Sequence, residues 1–220
     1  MTDGSKVCLE IYAKTRRFLH EDLPKEDSSR LKKTGFQILM GPPHPDAPIL
    51  FIGYQPGDGQ TGDRTDTEED RYPETCEYAT ACWCLAARLR AIFDESLLLR
   101  SVGLNAIFVR AESMEVYRRD FSSKTRREIK NFCIGCVLEI IGVVRPKKIV
   151  VIGLSTLDLL RKQATCWKAD VQGLHGRTLT KTGKIDGHDA IAVMHLSGAH
   201  MTNDDRGRIT RRLQKFCISR

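Results

Sequence analysis

The sequence predicts an α/β protein, a three-layer α/β/α sandwich around a central, mainly parallel four-stranded sheet. Three observations predict it. A short, continuously apolar run at 49–53 and mainly apolar runs at 104–109, 149–153 and 190–194 have the composition of strands buried in a parallel sheet. Segments of helical periodicity alternate with these runs. Glycine-bearing polar loops follow the runs at their C-terminal ends, the edge at which open α/β sheets bind ligands.

The elements follow in chain order. Residues 1–31 read as an amphipathic helix from about Lys6 to Leu19 and a charged connection. "GFQILM" (35–40) reads as a short edge strand, and the prolines of "GPPHPDAP" forbid helix after it. "ILFIG" (49–53) is the first buried strand, and a polar loop over 54–74 follows. The pattern from Tyr78 to Phe93 predicts one helix with Trp83, Leu85, Leu89 and Ile92 inward. Leu104–Val109 is the second strand, and a long helix over 123–143 is stopped by Gly142 and Pro146. "KKIVVIG" supplies the third strand, with Ser155 placed to cap the short helix "TLDLLRKQ". A glycine-rich excursion over 172–188 leads to the fourth strand in "DAIAVMHLSG". "NDDRGRITRRLQKFC" closes the chain as a helix with acidic residues in its first turn.

Length and composition set bounds. At 220 residues and 41% hydrophobic, the chain fits one domain, 1–220, with a sizeable core. No apolar run approaches the ~18 residues of a membrane span, so no membrane partner is expected. The first thirty residues are too charged for a secretory leader, and a cytoplasmic, reducing setting is expected. The formal net charge of +7 favours polyanionic partners. Eight cysteines in such a setting are thiols or metal ligands rather than disulfides. Cys133 and Cys136 sit three apart in a helical pattern, beside Phe132, Val137 and Ile140, and read as core thiols. Cys76, Cys82 and Cys84 form a second cluster with no convincing fourth ligand, so no metal and no cofactor is expected.

Three motifs fall at strand ends. Gly53-Tyr54-Gln55-Pro56-Gly57-Asp58 lets a ligand approach the backbone closely and is stiffened by proline. It lacks the Gly-Lys-Ser/Thr of a phosphate-binding Walker loop. Taken alone it binds an anion or a ring, or is simply a turn. Asn105 interrupts an apolar run, where asparagine is disfavoured and a buried amide must be hydrogen-bonded. It either braces the sheet or presents its amide to a planar ligand. His195 leaves a buried strand into the turn Leu196-Ser197-Gly198, which fixes the imidazole at the same rim.

Taken together, from about Phe36 to the end, the chain resembles the uracil-DNA glycosylase superfamily. That superfamily carries a Gly-x-x-Pro-Gly type loop after its first core strand, an Asn at the end of a middle strand, and a His-Pro-Ser type motif after the last. Gly53 to Asp58, Asn105 and His195-Leu196-Ser197 stand in those places. The segment 127–160 is also similar to the helix–strand–helix that links the last two motifs. The chain departs from the pattern at Tyr54, where some branches carry Glu, and at Gln55, where others carry a water-activating Asp or an Asn. Leu196 replaces the usual proline. Iron–sulfur branches need an early Cys-x-x-Cys and a Cys after the asparagine strand; here stand only Cys8 and, at the later point, Val109, which implies a branch without a cluster.

The resemblance implies a monomeric, monofunctional DNA glycosylase of base-excision repair. It would excise uracil, and other deaminated or 5-substituted bases, from single- or double-stranded DNA. His195 would donate to the departing base, and Gln55 or Asp58 would hold the water. Asn105 would read the base edge, with Tyr54 and Gly57 beside it and Tyr78 or Tyr72 stacking on it. Gly53, Pro56, Ser197 and Gly198 would face the DNA, with Ser197 and Gly198 gripping a flanking phosphate. His200 or Met201 would wedge into the gap in the stack. Two other classes fit the same rim: a non-catalytic damaged-base sensor that keeps the pocket, and a nucleotide-metabolising enzyme.

Overall fold

The structure, a computed structural model, describes residues 3–57, 71–197 and 201–218. It is α/β, built on a mixed six-stranded sheet in the order β2-β1-β3-β6-β5-β4. The strands are β1 (Ile49–Gly53), β2 (Val102–Asn105), β3 (Lys148–Ile152), β4 (Ala164–Gln172), β5 (Thr178–Ile185) and β6 (His188–Val193). The run β2-β1-β3-β6 is parallel throughout and is the expected four-stranded core. The sheet is larger than expected because β5 and β4 extend it as an antiparallel pair.

Side-chain alternation divides the core into two layers. Leu50, Ile52, Leu104, Val151 and Ala192 pack on one face, with α1 (Asp3–Arg17) and α7 (Ser123–Val144). Ile49, Phe51, Val150, Ile152 and Val193 pack on the other, with α4 (Cys84–Arg90) and α9 (Asn203–Ile218). Both faces of the parallel strands are therefore covered, which is why these segments are mainly apolar. α7 is started by Ser122, whose hydroxyl accepts from Thr125 N–H, and it buries Cys133 and Cys136 in the core. Burial pushes both thiols up, Cys136 to about 11, which keeps them protonated and unreactive. No described helix is long and apolar enough to cross a membrane.

Several elements differ from the sequence reading. α1 continues through a π-helical turn (Phe18–Asp22), and the charged connection is itself helical as α2 (Lys25–Thr34). "GFQILM" makes only isolated antiparallel bridges, Phe36 to Val109 and Leu39 to Leu104, along the outer edge of β2. The second strand ends at Asn105 rather than continuing to Val109. The single helix over 78–93 is split into α3 (Glu77–Thr80) and α4, with α5 (Glu95–Leu99) following. Ala81 and Trp83 are extended at the break, where Arg90 donates to the freed Ala81 carbonyl. Trp83 consequently ends 38% exposed instead of inward.

Gly142 lies inside α7, which stops instead at Arg145 in the left-handed region, just before Pro146. Between β2 and α7 lies α6 (Met114–Asp120), and after β3 the short α8 (Leu154–Leu159). Gly153, not Ser155, occupies the N-cap of α8: its φ of +94° turns the chain at the end of β3.

Candidate functional site

The C-terminal ends of β1, β2, β3 and β6 form one rim. Parallel pairing places Gly53 directly beside Asn105. The loop after β1 is stitched to the segment after β2. Ala106 N–H donates to Gly53 O, Ile107 N–H to Tyr54 O, and Ala111 N–H to Pro56 O. The Gln55 side-chain amide donates to Ala111 O, and Arg110 donates to Gly57 O. This ladder makes the loop a fixed platform. Gln55 Oε1 is buried with no partner among the described residues, so an acceptor with unused capacity sits in that platform.

Asn105 is 1% exposed. Its Nδ2 donates to Gln37 O at 3.2 Å, on the outer side of β2, which leaves Oδ1 turned inward. Oδ1 lies 3.4 Å from where a Cβ on Gly53 would stand, and the Tyr78 hydroxyl lies 4.0 Å from the same point. Glycine at 53 therefore puts no side chain beside either group. Asn105 thus braces the edge segment, and its Oδ1 lies beside Gly53. Gln37 also donates to Glu77 and accepts from Arg110, extending the network to Gly57. Gln37 and Arg110 escaped the sequence reading. The one available signal was Gln37 itself, a polar residue within "GFQILM".

Across the rim, His195 follows β6. Its side chain is exposed, with Cδ2 3.8 Å from the Cβ position of Gly153, and its Nδ1 is 2.8 Å from Ser197 Oγ. Partial desolvation lowers its pKa below the ordinary histidine value, so the ring is neutral at pH 7. In the tautomer in which Nδ1 accepts from the Ser197 hydroxyl, the ring proton sits on Nε2. Leu196 is 4% exposed and anchors this turn in the apolar layer.

The remaining expected residues divide. Tyr54 is half-buried at the platform, and Pro56 is buried beneath it. Gly57 is exposed, with no described atom within 4 Å of its Cβ position. Tyr78 is 1% exposed, edge-on to Phe51 and Trp83, with burial pushing its hydroxyl pKa up; its ring has no open face on which a base could stack. Tyr72 packs edge-on against Tyr12 on the opposite side of the sheet from Tyr78. Met201 is buried in the apolar layer with Leu196, so it does not stand out as a wedge. Asp58, Gly198 and His200 lie outside the described residues. Ser197 is bonded to His195, so its hydroxyl is engaged within the site.

Cys76 is buried while Cys82 and Cys84 are exposed, and no three His, Cys, Asp or Glu side chains among the described residues are grouped to hold a metal ion. No family model and no curated protein matches the chain.

Proposed function

We propose that the protein is a DNA glycosylase that excises uracil by hydrolysing the N-glycosidic bond. The observation that carries this reading is the Asn105 amide, locked by Gln37 so that Oδ1 faces the space over Gly53, with neutral His195 opposite. Neighbouring strands lie ~4.8 Å apart, so the three intervals from β2 to β6 separate the two backbones by roughly 14 Å. Two side chains reaching inward from such a span suit a planar base held edge-on between them.

The chemistry follows from that arrangement. The C1′–N1 bond breaks with its electron pair moving onto the base, leaving an oxocarbenium-like sugar. Asn105 Oδ1 accepts from uracil N3–H, and the second Nδ2 hydrogen serves O4. His195 Nε2–H meets the negative charge that gathers on O2. Water held by the Gln55 platform then adds to C1′, and the proton it loses neutralises the departed uracil anion, producing an abasic site and free uracil. Open space at Gly57 leaves the pyrimidine C5 unguarded among the described residues, which favours acceptance of 5-substituted uracils. The absence of a carboxylate at positions 54 and 55 favours one second reading, a sensor that binds the flipped base without cleaving it.

Abasic-site formation on uracil-containing single- and double-stranded oligonucleotides separates the two. Cleavable abasic product is expected, and binding without product selects the sensor. The pH dependence adds a sharper expectation. Because the His195 pKa is lowered, the neutral donor persists below pH ~6.5, the ordinary histidine value. The acidic limb of kcat/KM is expected below that pH in wild type and absent in His195→Gln. A limb above it, or one surviving in the variant, removes His195 from the role. For stability the sign is the same: the unfolded chain binds the proton more readily, so the contribution is present above pH ~6.5 and declines as pH falls through the lowered native value.

Gly53→Ala tests the base site from the other side. The added methyl would meet Asn105 Oδ1 at 3.4 Å and nothing closer, an ordinary contact, so melting temperature is expected to hold. The methyl would nonetheless occupy the space where a base edge approaches Asn105. Excision is expected to fall with the fold retained, and wild-type kcat/KM in this variant would move the base elsewhere.

A further inference from the structure

A groove of about 870 Å³ opens beside the rim, between Tyr54, α6, α7 and the C-terminal end of α8, and the chemistry above does not use it. Tyr54 is its one link with the rim motifs: Gln55, Asn105 and His195 do not line it. Its floor includes Ile107, Ile134 and Leu159, and its walls carry Arg118, Arg126, Arg127, Lys130, Arg161 and Lys162 against one carboxylate, Asp158. Among the described residues none of these six cations is in an ion pair, whereas Lys14, Arg145, Lys148, Lys184, Arg208 and Arg212 elsewhere each hold a carboxylate. Six like charges facing one depression with a single lining carboxylate repel one another, and a bound polyanion relieves that repulsion.

Two further observations give the groove a ligand. Tyr117 lines it at 4% exposure, and its buried hydroxyl has no hydrogen-bond partner among the described residues. Arg126 Nε–H is likewise buried and unpartnered, although the far end of the same guanidinium donates to Ser123. Buried polar groups are ordinarily bonded, and two unused donors among cations call for a ligand rich in acceptors. Gln163 Oε1, of the same lining, is a third unpaired atom, an acceptor. The first turn of α7, at Ser123, adds the positive end of a 22-residue helix.

The cationic lining, the unused donors and continuity with the rim through Tyr54 point to one occupant. We propose that this groove carries the phosphodiester backbone of a single nucleic-acid strand running to or from the candidate base site. A cationic channel with an aromatic at its mouth is the arrangement by which proteins track single strands. The identity of the strand rests on the glycosylase reading; the groove's preference for a phosphodiester chain does not.

The test measures binding of a labelled, uracil-free single-stranded oligonucleotide by anisotropy across a salt series. Three proteins are compared: wild type, Arg127→Ala/Lys130→Ala in the groove, and Arg100→Ala/Lys147→Ala at the N-terminal edge of the sheet. The groove pair is expected to weaken binding at least about tenfold and to reduce the log–log salt slope by about 1.4, the value for two lost phosphate contacts on a single strand. The edge pair is expected to keep both. Equal weakening in the two pairs, or an unchanged slope in the groove pair, overturns the proposal. Competition by dTMP, inorganic phosphate or polyglutamate as effective as unlabelled oligonucleotide overturns it too, in favour of a small anion or an acidic peptide. Uracil excision by wild type is scored separately. Groove effects without excision defeat the glycosylase reading alone, and excision without groove effects defeats the groove alone.

Discussion

Replacing His195 with alanine is expected to lower uracil excision by at least roughly 10²-fold, the scale for losing one donor to a developing oxyanion, or about 2.7–4 kcal/mol. The fold should survive, because the imidazole is exposed and the buried anchor of its turn is the neighbouring Leu196. Single-turnover excision and circular dichroism on the same preparation make the check. Near-wild-type turnover would remove His195 from the chemistry. Ser197→Ala then divides two roles for the hydroxyl. A phosphate grip predicts weaker DNA binding with excision at saturation unchanged. The bond to His195 Nδ1 predicts the reverse: retained affinity, lower turnover and a displaced acidic limb, since nothing would hold the proton on Nε2. The geometry favours the second, and here it departs from the resemblance, which implies a phosphate grip.

What was legible in the sequence was whatever the chain encodes locally. Strands β1, β3 and β6 announced themselves because a strand covered on both faces has no polar register to keep. Asn105 was visible as an amide in an apolar run, but its partner Gln37 stands 68 positions away in a segment too irregular to form a named strand. The β4–β5–β6 extension was missed for two different reasons. β4 is mostly exposed and has register irregularities, so it carries no apolar alternation. The β5–β6 turn did carry a signal: Asp186-Gly187 between the paired Ile185 and His188, both with positive φ, is a two-residue hairpin loop. The break between α3 and α4 has no proline or glycine to mark it and depends on Arg90 reaching back to Ala81, a tertiary cause. The cationic groove was hidden in another way. Its arginines and lysines look like solvated faces of separate helices until the β3 crossover brings the end of α8 and the residues after it to the same groove as α7.

The substitution Asn105→Asp is expected to reduce uracil excision at neutral pH at least roughly 10²-fold, with partial recovery as pH falls. The buried amide donates outward to Gln37 O and offers Oδ1 inward over Gly53. An ionised aspartate there would face the Gln37 carbonyl with an acceptor, losing a bond and burying a charge, a conflict of about 1–3 kcal/mol or more. Burial therefore raises its native pKa above the unfolded value of ~3.9. The destabilisation is absent below that value and grows as pH rises through it, until the native carboxyl ionises. When the carboxyl is protonated, its hydrogen is drawn to Gln37 O, and the remaining oxygen still accepts from uracil N3–H. What is missing in every state is the second N–H for O4, so recovery at acidic pH stays incomplete. The same tether bears on cytosine, whose N3 lone pair needs a donor: the only proton available is committed to Gln37, and cytosine is expected to remain rejected. Excision of uracil- and cytosine-containing oligonucleotides from acidic to neutral pH, beside thermal melts of the same variant, makes the comparison. Unaltered uracil excision at neutral pH would leave Asn105 as the brace between β2 and the Gln37 segment and nothing more. Cytosine excision rising with acidity would mean that the carboxyl proton turns toward the base, and that Gln37 does not fix the amide.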